Sequence, residues 1–240
     1  AGPVGAFPLG LLARYGWARV GAAADGAVAE HLSGRGGGGA PAATGSAGES
    51  MAVDLPELGR EFLERLREPL TRTVTLSGRA MTPTLNRGWQ EGKRGEMLML
   101  RSLPMPSVVS FAPGDVVAFR SPSDSSKTQV LRLAAVEGHE MVSCIPGEES
   151  FKLHRGECWV LADNDEISVQ EANDSRTFGP LQMSKILGRV VYSARSPVDH
   201  SYVQNSGANT EEDCAVVECE LDVEVMFAKE GRPEPVESVS

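Results

Sequence analysis

Hydroxyl, amine, thiol and imidazole side chains are the groups with which this 240-residue chain could do covalent chemistry. Few of them are spaced for it. Cys144, Cys158, Cys214 and Cys219 form no Cys-x-x-Cys pair and have no histidine at zinc-ligand spacing, so small buried or reduced thiols are expected. His31, His139, His154 and His200 are scattered, with no His-Glu-x-x-His run. Gly34, Gly36 and Gly39 satisfy Gly-x-Gly-x-x-Gly, but they sit in low-complexity sequence with no preceding strand, which rejects a dinucleotide site. Neither a cofactor nor a metal is therefore expected.

Composition divides the chain into three. Residues 1–53 are rich in Ala and Gly, including Gly36 to Gly39 in a row, and read as a low-complexity, transit-like leader. Such a segment buries too little apolar surface to offset its ordering entropy. Residues 54–203 are near charge balance and are long enough for one core. Residues 204–240 form an acidic extension: from 207 onward they carry a net −8 of the chain's −10. That acidity leaves no Lys/Arg stripe to displace counterions, which argues against nucleic acid as a partner. No stretch approaches the roughly 18–20 apolar residues of a membrane helix, and Arg14, Arg19 and Asp25 interrupt the best candidate.

The elements that must position any site follow from periodicity. Leu55, Leu58, Phe62 and Leu66 recur at helical spacing, with Glu61 and Arg65 an i,i+4 pair on the polar side, and Pro69 ends the helix. This amphipathic face has two uses open to it, packing on the domain or lying on a membrane surface or partner helix. Short β-branched or apolar runs follow at Thr71–Ser77, Glu96–Arg101, Asp115–Arg120, Gln129–Val136, Glu140–Cys144, Glu157–Leu161 and Ile186–Ala194, each bounded by turn residues. No helices alternate with them, so a mainly β, antiparallel domain with a short N-terminal amphipathic helix and disordered ends is expected. Cys219, Leu221, Val223, Val225 and Phe227 alternate with Glu218, Glu220, Asp222, Glu224 and Met226, which predicts a strand over 218–227 pairing in cis or with another chain. Residues after Glu230 read as disordered.

Four blocks in order then resemble one family. Gly78-Arg79-Ala80-Met81-Thr82-Pro83-Thr84 resembles the Gly-x-Ser-Met-x-Pro-Thr box of type I signal peptidases and mitochondrial inner membrane proteases. Pro113-Gly114-Asp115 through Pro122 looks like that family's Gly-Asp-hydrophobic strand, and Val130-Leu131-Arg132-Leu133 is similar to its Val-Lys-Arg-Val box. Trp159-Val160-Leu161-Ala162-Asp163-Asn164, followed by Asn173-Asp174-Ser175-Arg176-Thr177-Phe178-Gly179-Pro180, resembles Trp-Val-x-Gly-Asp-Asn and Ser-x-Asp-Ser-Arg-x-Phe-Gly-Pro. Gly188-Arg189-Val190 looks like the closing strand. The plant and algal subgroup is the nearest in pattern.

The resemblance implies a serine that attacks a carbonyl and a lysine, neutral through desolvation, that takes its proton. Here those two positions are Ala80 and Leu131. Loss of a hydrolase nucleophile costs on the order of 10⁶ in turnover, about 8 kcal/mol of barrier. The hydroxyls and amine nearest those positions are Ser77, three residues before Ala80, Thr82, two after it, and Lys127, four before Leu131. A nucleophile moved three positions along an extended segment shifts by about 10 Å and changes face, whereas reacting atoms must lie within about 3–3.5 Å. No catalytic residue is therefore expected. Gly78, Ala80, Met81, Pro83 and Leu131 are candidates for a groove that binds extended peptide, and Asp163, Asn164, Asp174, Ser175 and Arg176 for its structural support. The implied function is a non-catalytic adaptor or peptide-binding subunit in a hetero-oligomer at an organelle inner membrane, the mitochondrion ahead of the chloroplast. Its partners would be inner-membrane subunits or a presequence-like peptide, with peripheral attachment to the membrane open. The alternative is an active serine endopeptidase that draws its nucleophile from Ser77 or from a neighbouring chain. A receptor-like binding module is the third class.

Overall fold

β-Branched and apolar residues at alternate positions, cut every few residues by Gly, Pro or Asn, form strands because each strand can turn one face into a shared core. In the computed structural model, residues 9–34, 55–90, 95–143, 147, 149–228 and 235–237 are described. Two helices, α1 (Leu9–Gly34) and α2 (Leu55–Arg65), come first. The strands are β1 (Thr71–Ser77), β2 (Glu96–Ser102), β3 (Val116–Arg120), β4 (Thr128–Val136), β5 (Glu140–Met141), β6 (Phe151–Lys152), β7 (Glu157–Leu161), β8 (Leu181–Gln182), β9 (Ile186–Ser196), β10 (Asp199–Tyr202) and β11 (Pro235–Glu237). Between and after them lie α3 (Val169–Ala172), α4 (Ser175–Phe178), α5 (Thr210–Glu220) and α6 (Val223–Ala228). The chain divides into two compact units, Ala1–Leu70 and Thr71–Ser240.

In the first unit α1 packs against α2. Small residues make this possible: Ala18, Ala23 and Ala27 are buried, and a side chain at Gly26 would collide with the Arg65 guanidinium. Arg19 closes the C-terminal end of α2, its Nη2 donating to the carbonyls of Leu66 and Glu68. Carbonyls at the C-terminal end of a helix commonly lack intrahelical donors, and a cation is favoured there. Within the segment read as a leader, Leu9–Gly34 is helical. The run 35–54 lies outside the described residues, as does the expected disorder after Glu230 apart from β11. Among the described residues no helix is long and apolar enough to cross a membrane.

The second unit is a nine-stranded sheet in the order β11-β1-β2-β9-β3-β4-β7-β8, with β10 also on β9, and a separate β5–β6 hairpin. Every pairing is antiparallel except β1 with β11. The mainly β, antiparallel architecture with an amphipathic helix before it is the one expected. Glu140–Cys144 shortens to a two-residue strand, and Cys144 lies outside the described residues. One face of the sheet carries the main core, which includes Leu76, Leu98, Leu100, Val117, Phe119, Leu131, Leu133 and Val190. At Gly188 in β9 a Cβ would fall on the Arg101 carbonyl of β2, so only glycine lets these two strands close.

The expected strand over 218–227 is corrected: α5 and α6 occupy that stretch. Residues of β2 and β9 alternate faces, and the register shift at Val191 adds one residue to β9, which leaves Met97, Met99, Val191, Tyr192 and Ala194 in clusters separate from the main core. Val217 and Leu221 cover Met99, Val191 and Tyr192, while Met226 packs on Met97 and Ala194. The spacing from 213 through 217 to 221 belongs to one helical face, and burial of that face outweighs the local alternation. Asp213 fixes α5 in place by accepting from Arg189 Nε and Nη2 at 2.7 and 3.1 Å. Arg189 Nη1 also reaches Asp115 at 3.2 Å.

Candidate functional site

β1 delivers the chain into the 78–84 turn. Gly78, buried with φ 83°, makes a reversal that a residue with a Cβ adopts only under strain. Beyond it the backbone coils, with Thr82 N–H donating to Arg79 O and Leu85 N–H to Met81 O. The start and end of this turn are tied together by Asn86, whose Nδ2 donates to Gly78 O at 2.7 Å. Asn86 is held in turn by Glu96: Glu96 N–H donates to Asn86 Oδ1, and Asn86 N–H to a Glu96 carboxylate oxygen. Ala80 and Met81 are fully buried in the main core, while Pro83 is exposed behind a cis Thr82–Pro83 bond.

A second fastening comes from the loop after β7. Asn164 N–H donates to Ala80 O at 3.0 Å, and Asn164 Nδ2 donates to Arg79 O at 2.8 Å and Thr82 Oγ1 at 2.7 Å. Its neighbour Asp163 receives a bidentate pair from Arg132, Nε at 2.8 Å and Nη2 at 2.7 Å. Arg132 follows Leu131 directly on β4. Ala80 and Leu131 are thus linked through Arg132, Asp163 and Asn164. Both also belong to the same apolar cluster, Leu131 at 2 % exposure.

The floor beneath this loop is built by Asp174, Ser175 and Arg176. Asp174, fully buried, caps α4 by accepting from Arg176 N–H and also accepts from Ala162 N–H. Arg176 Nη2 closes on the same carboxylate at 2.7 Å, and this charge-assisted bond holds the guanidinium pKa above its ordinary value. Ser175 Oγ accepts from Val160 N–H of β7 at 3.0 Å. On the outer side Arg79 Nε donates to Glu171 at 2.7 Å, and that bond lowers the Glu171 carboxyl pKa.

An acyl-transfer dyad would need a hydroxyl and a desolvated amine beside each other. Among the described residues no lysine is buried. Lys127 lies exposed in the turn before β4, Lys152 is exposed, and Lys185 is half-buried. Ser77 sits half-buried at the end of β1. The structure therefore places Ala80 and Leu131 in one apolar cluster, joins Asp163, Asn164, Asp174, Ser175 and Arg176 to the strands and loops around it, and puts Lys127 on the surface. The sequence reading missed Asn86, Glu96 and Glu171. Glu171 and Glu96 lie in segments with no chemical pattern, and Asn86 stands just past the motif. Arg132, by contrast, stands inside the third block, directly after Leu131.

Comparison with known proteins gives the same direction. No family model matches the chain. The chain is 42% identical over 149 residues, 62% of its length and 70% of the relative's, to the mitochondrial ATP-independent inner membrane protease subunit 2 of Arabidopsis thaliana. It is 30% identical over 131 residues, covering 77% of the relative, to the mitochondrial inner membrane protease subunit 1 of Schizosaccharomyces pombe. To the human mitochondrial inner membrane protease subunit 1 it is 30% identical over 97 residues, 55% of that protein. These relatives favour the mitochondrion over the chloroplast. By the match to the Arabidopsis and fission yeast subunits, the chain belongs to the mitochondrial inner membrane protease family, within the signal peptidase I superfamily.

Proposed function

We propose that this chain is a non-catalytic subunit of a protease assembly at the mitochondrial inner membrane, holding a partner or an extended presequence-like peptide without cutting it. The observation that carries the reading is the pairing of two hydrocarbon side chains with an intact frame. Ala80 and Leu131 lie in one buried apolar cluster. Around them Asn164, Asp163–Arg132 and Asp174–Arg176 keep their hydrogen bonds. A buried leucine contributes roughly 1.5–3 kcal/mol to the fold, whereas a lysine there would have to be desolvated. The frame is thus suited to support the turn rather than to move a proton.

The chemistry left to such a site is main-chain recognition. A strand edge beside the Ala80 turn can take an extended peptide through backbone hydrogen bonds. The test is to purify the chain with its native partners, identify them by mass spectrometry and assay the material for presequence cleavage. Stable co-purification with inner-membrane proteins is expected, with no cleavage that depends on this chain. Cleavage lost on Ser77→Ala would establish the active endopeptidase reading instead.

A further inference from the structure

β1 is paired along one edge with β2 from Thr71 to Leu76. Its other edge is met by β11, with Pro235, Val236 and Glu237 running parallel to Thr75, Leu76 and Ser77. This is the one parallel pairing among the described strands, and it joins the chain's C-terminal segment to the three residues just before Gly78. β11 also lies against β4, the strand that carries Leu131. An extended segment at this place is flanked by the strand that enters the Ala80 turn and the strand that holds Leu131.

We propose that the β1 edge at Thr75–Ser77 is a peptide-docking slot and that residues 235–237 fill it in cis, in competition with an extended peptide from another protein. The inference rests on the peptide-holding reading above and specifies how that site is regulated. Strand addition uses main-chain groups, so it accepts varied sequences, the chain's own tail included. Proline is tolerated as the first residue of a strand or on an edge, where Pro235 stands, and a β-branched residue follows it. A three-residue strand offers few bonds, and tethering compensates by supplying it at an effective concentration in the millimolar range. The same cover blunts an edge that would otherwise pair with other chains.

The test compares the full chain, a chain ending at residue 230, and full-length Val236→Pro. The probes are a fluorescein-labelled peptide of residues 231–240 and a labelled presequence-like peptide rich in Arg, Ala and Leu, both read by fluorescence anisotropy. Deletion is expected to raise affinity for the 231–240 peptide at least tenfold over the full chain, and Val236→Pro to raise it less. Amide exchange at Thr75–Ser77 should quicken in Val236→Pro by about tenfold, a readout that stands even if the deleted chain fails to fold. Equal binding of the 231–240 peptide by all three chains, or unchanged exchange in Val236→Pro, would overturn the inference. If the deleted chain binds the presequence peptide but not the tail peptide, the inference falls and the peptide-holding reading stands. If it binds only the tail peptide, cis occupancy stands and the presequence reading falls.

Discussion

Asn164 holds Ala80 by its main chain and the residues on either side by its amide: N–H to Ala80 O at 3.0 Å, Nδ2 to Arg79 O and Thr82 Oγ1. Asn164 is 7 % exposed, so water replaces few of these bonds if they are lost. Asn164→Ala removes the two side-chain donations and the acceptor for Glu166 N–H. At about 1 kcal/mol each, the expected cost is roughly 2–3 kcal/mol. Urea unfolding should show a lower midpoint with an unchanged slope.

Asp174 is the more costly residue to truncate. Asp174→Ala strips the N-cap of α4 and leaves Ala162 N–H and the Arg176 guanidinium without their acceptor. A loss of about 3 kcal/mol is expected, of which the cap is about 1. Asp174→Asn, which keeps one acceptor oxygen, should fall between the two in thermal unfolding. A midpoint like that of the unaltered chain would show that the floor under the loop is held by something else.

The docking of α5 can be read separately. Asp213→Ala removes the bidentate partner of Arg189, a side chain only 3 % exposed, while Asp115 remains at 3.2 Å. A destabilisation of about 3 kcal/mol is expected, at the low end for breaking a buried pair because one partner survives. Hydrogen exchange should quicken in 210–220 before it quickens in β9. Equal rates in both segments would mean that α5 does not open as a unit.

Cys158 gives a pH signature. Burial pushes its thiol pKa from an ordinary 9.0 up to about 12. Between those values the folded state keeps a proton that the unfolded chain has lost, so stability falls as pH rises from about 9 toward 12. Cys158→Ala should flatten that alkaline decline. In the folded protein at pH 8, thiolate at Cys158 is roughly one part in ten thousand. Alkylation there should require unfolding.

The strands were legible because turn residues bracket them and β-branched residues fill them: β1 and β7 have the expected bounds, and β2, β3, β4 and β9 lie within one or two residues. The two-residue strands β6 and β8 carry too few residues to show a period. The 218–227 stretch misled because its alternation is local, whereas its conformation is decided by Met97, Met99 and Val191, more than twenty-five residues away in the chain. Likewise Ala80, Leu131, Asp163 and Asn164 could be picked out from motif order. The Asn86–Glu96 tie that braces Gly78 could not, because its two members share no pattern and meet only through the fold.

Presequence cleavage by the assembly purified through this chain, measured with the unaltered chain and with Ser77→Ala, tests the central claim most directly. The account expects the same rate from both, since no hydroxyl of this chain takes part. A rate that collapses with Ser77→Ala, in a protein shown by circular dichroism to remain folded, would contradict it.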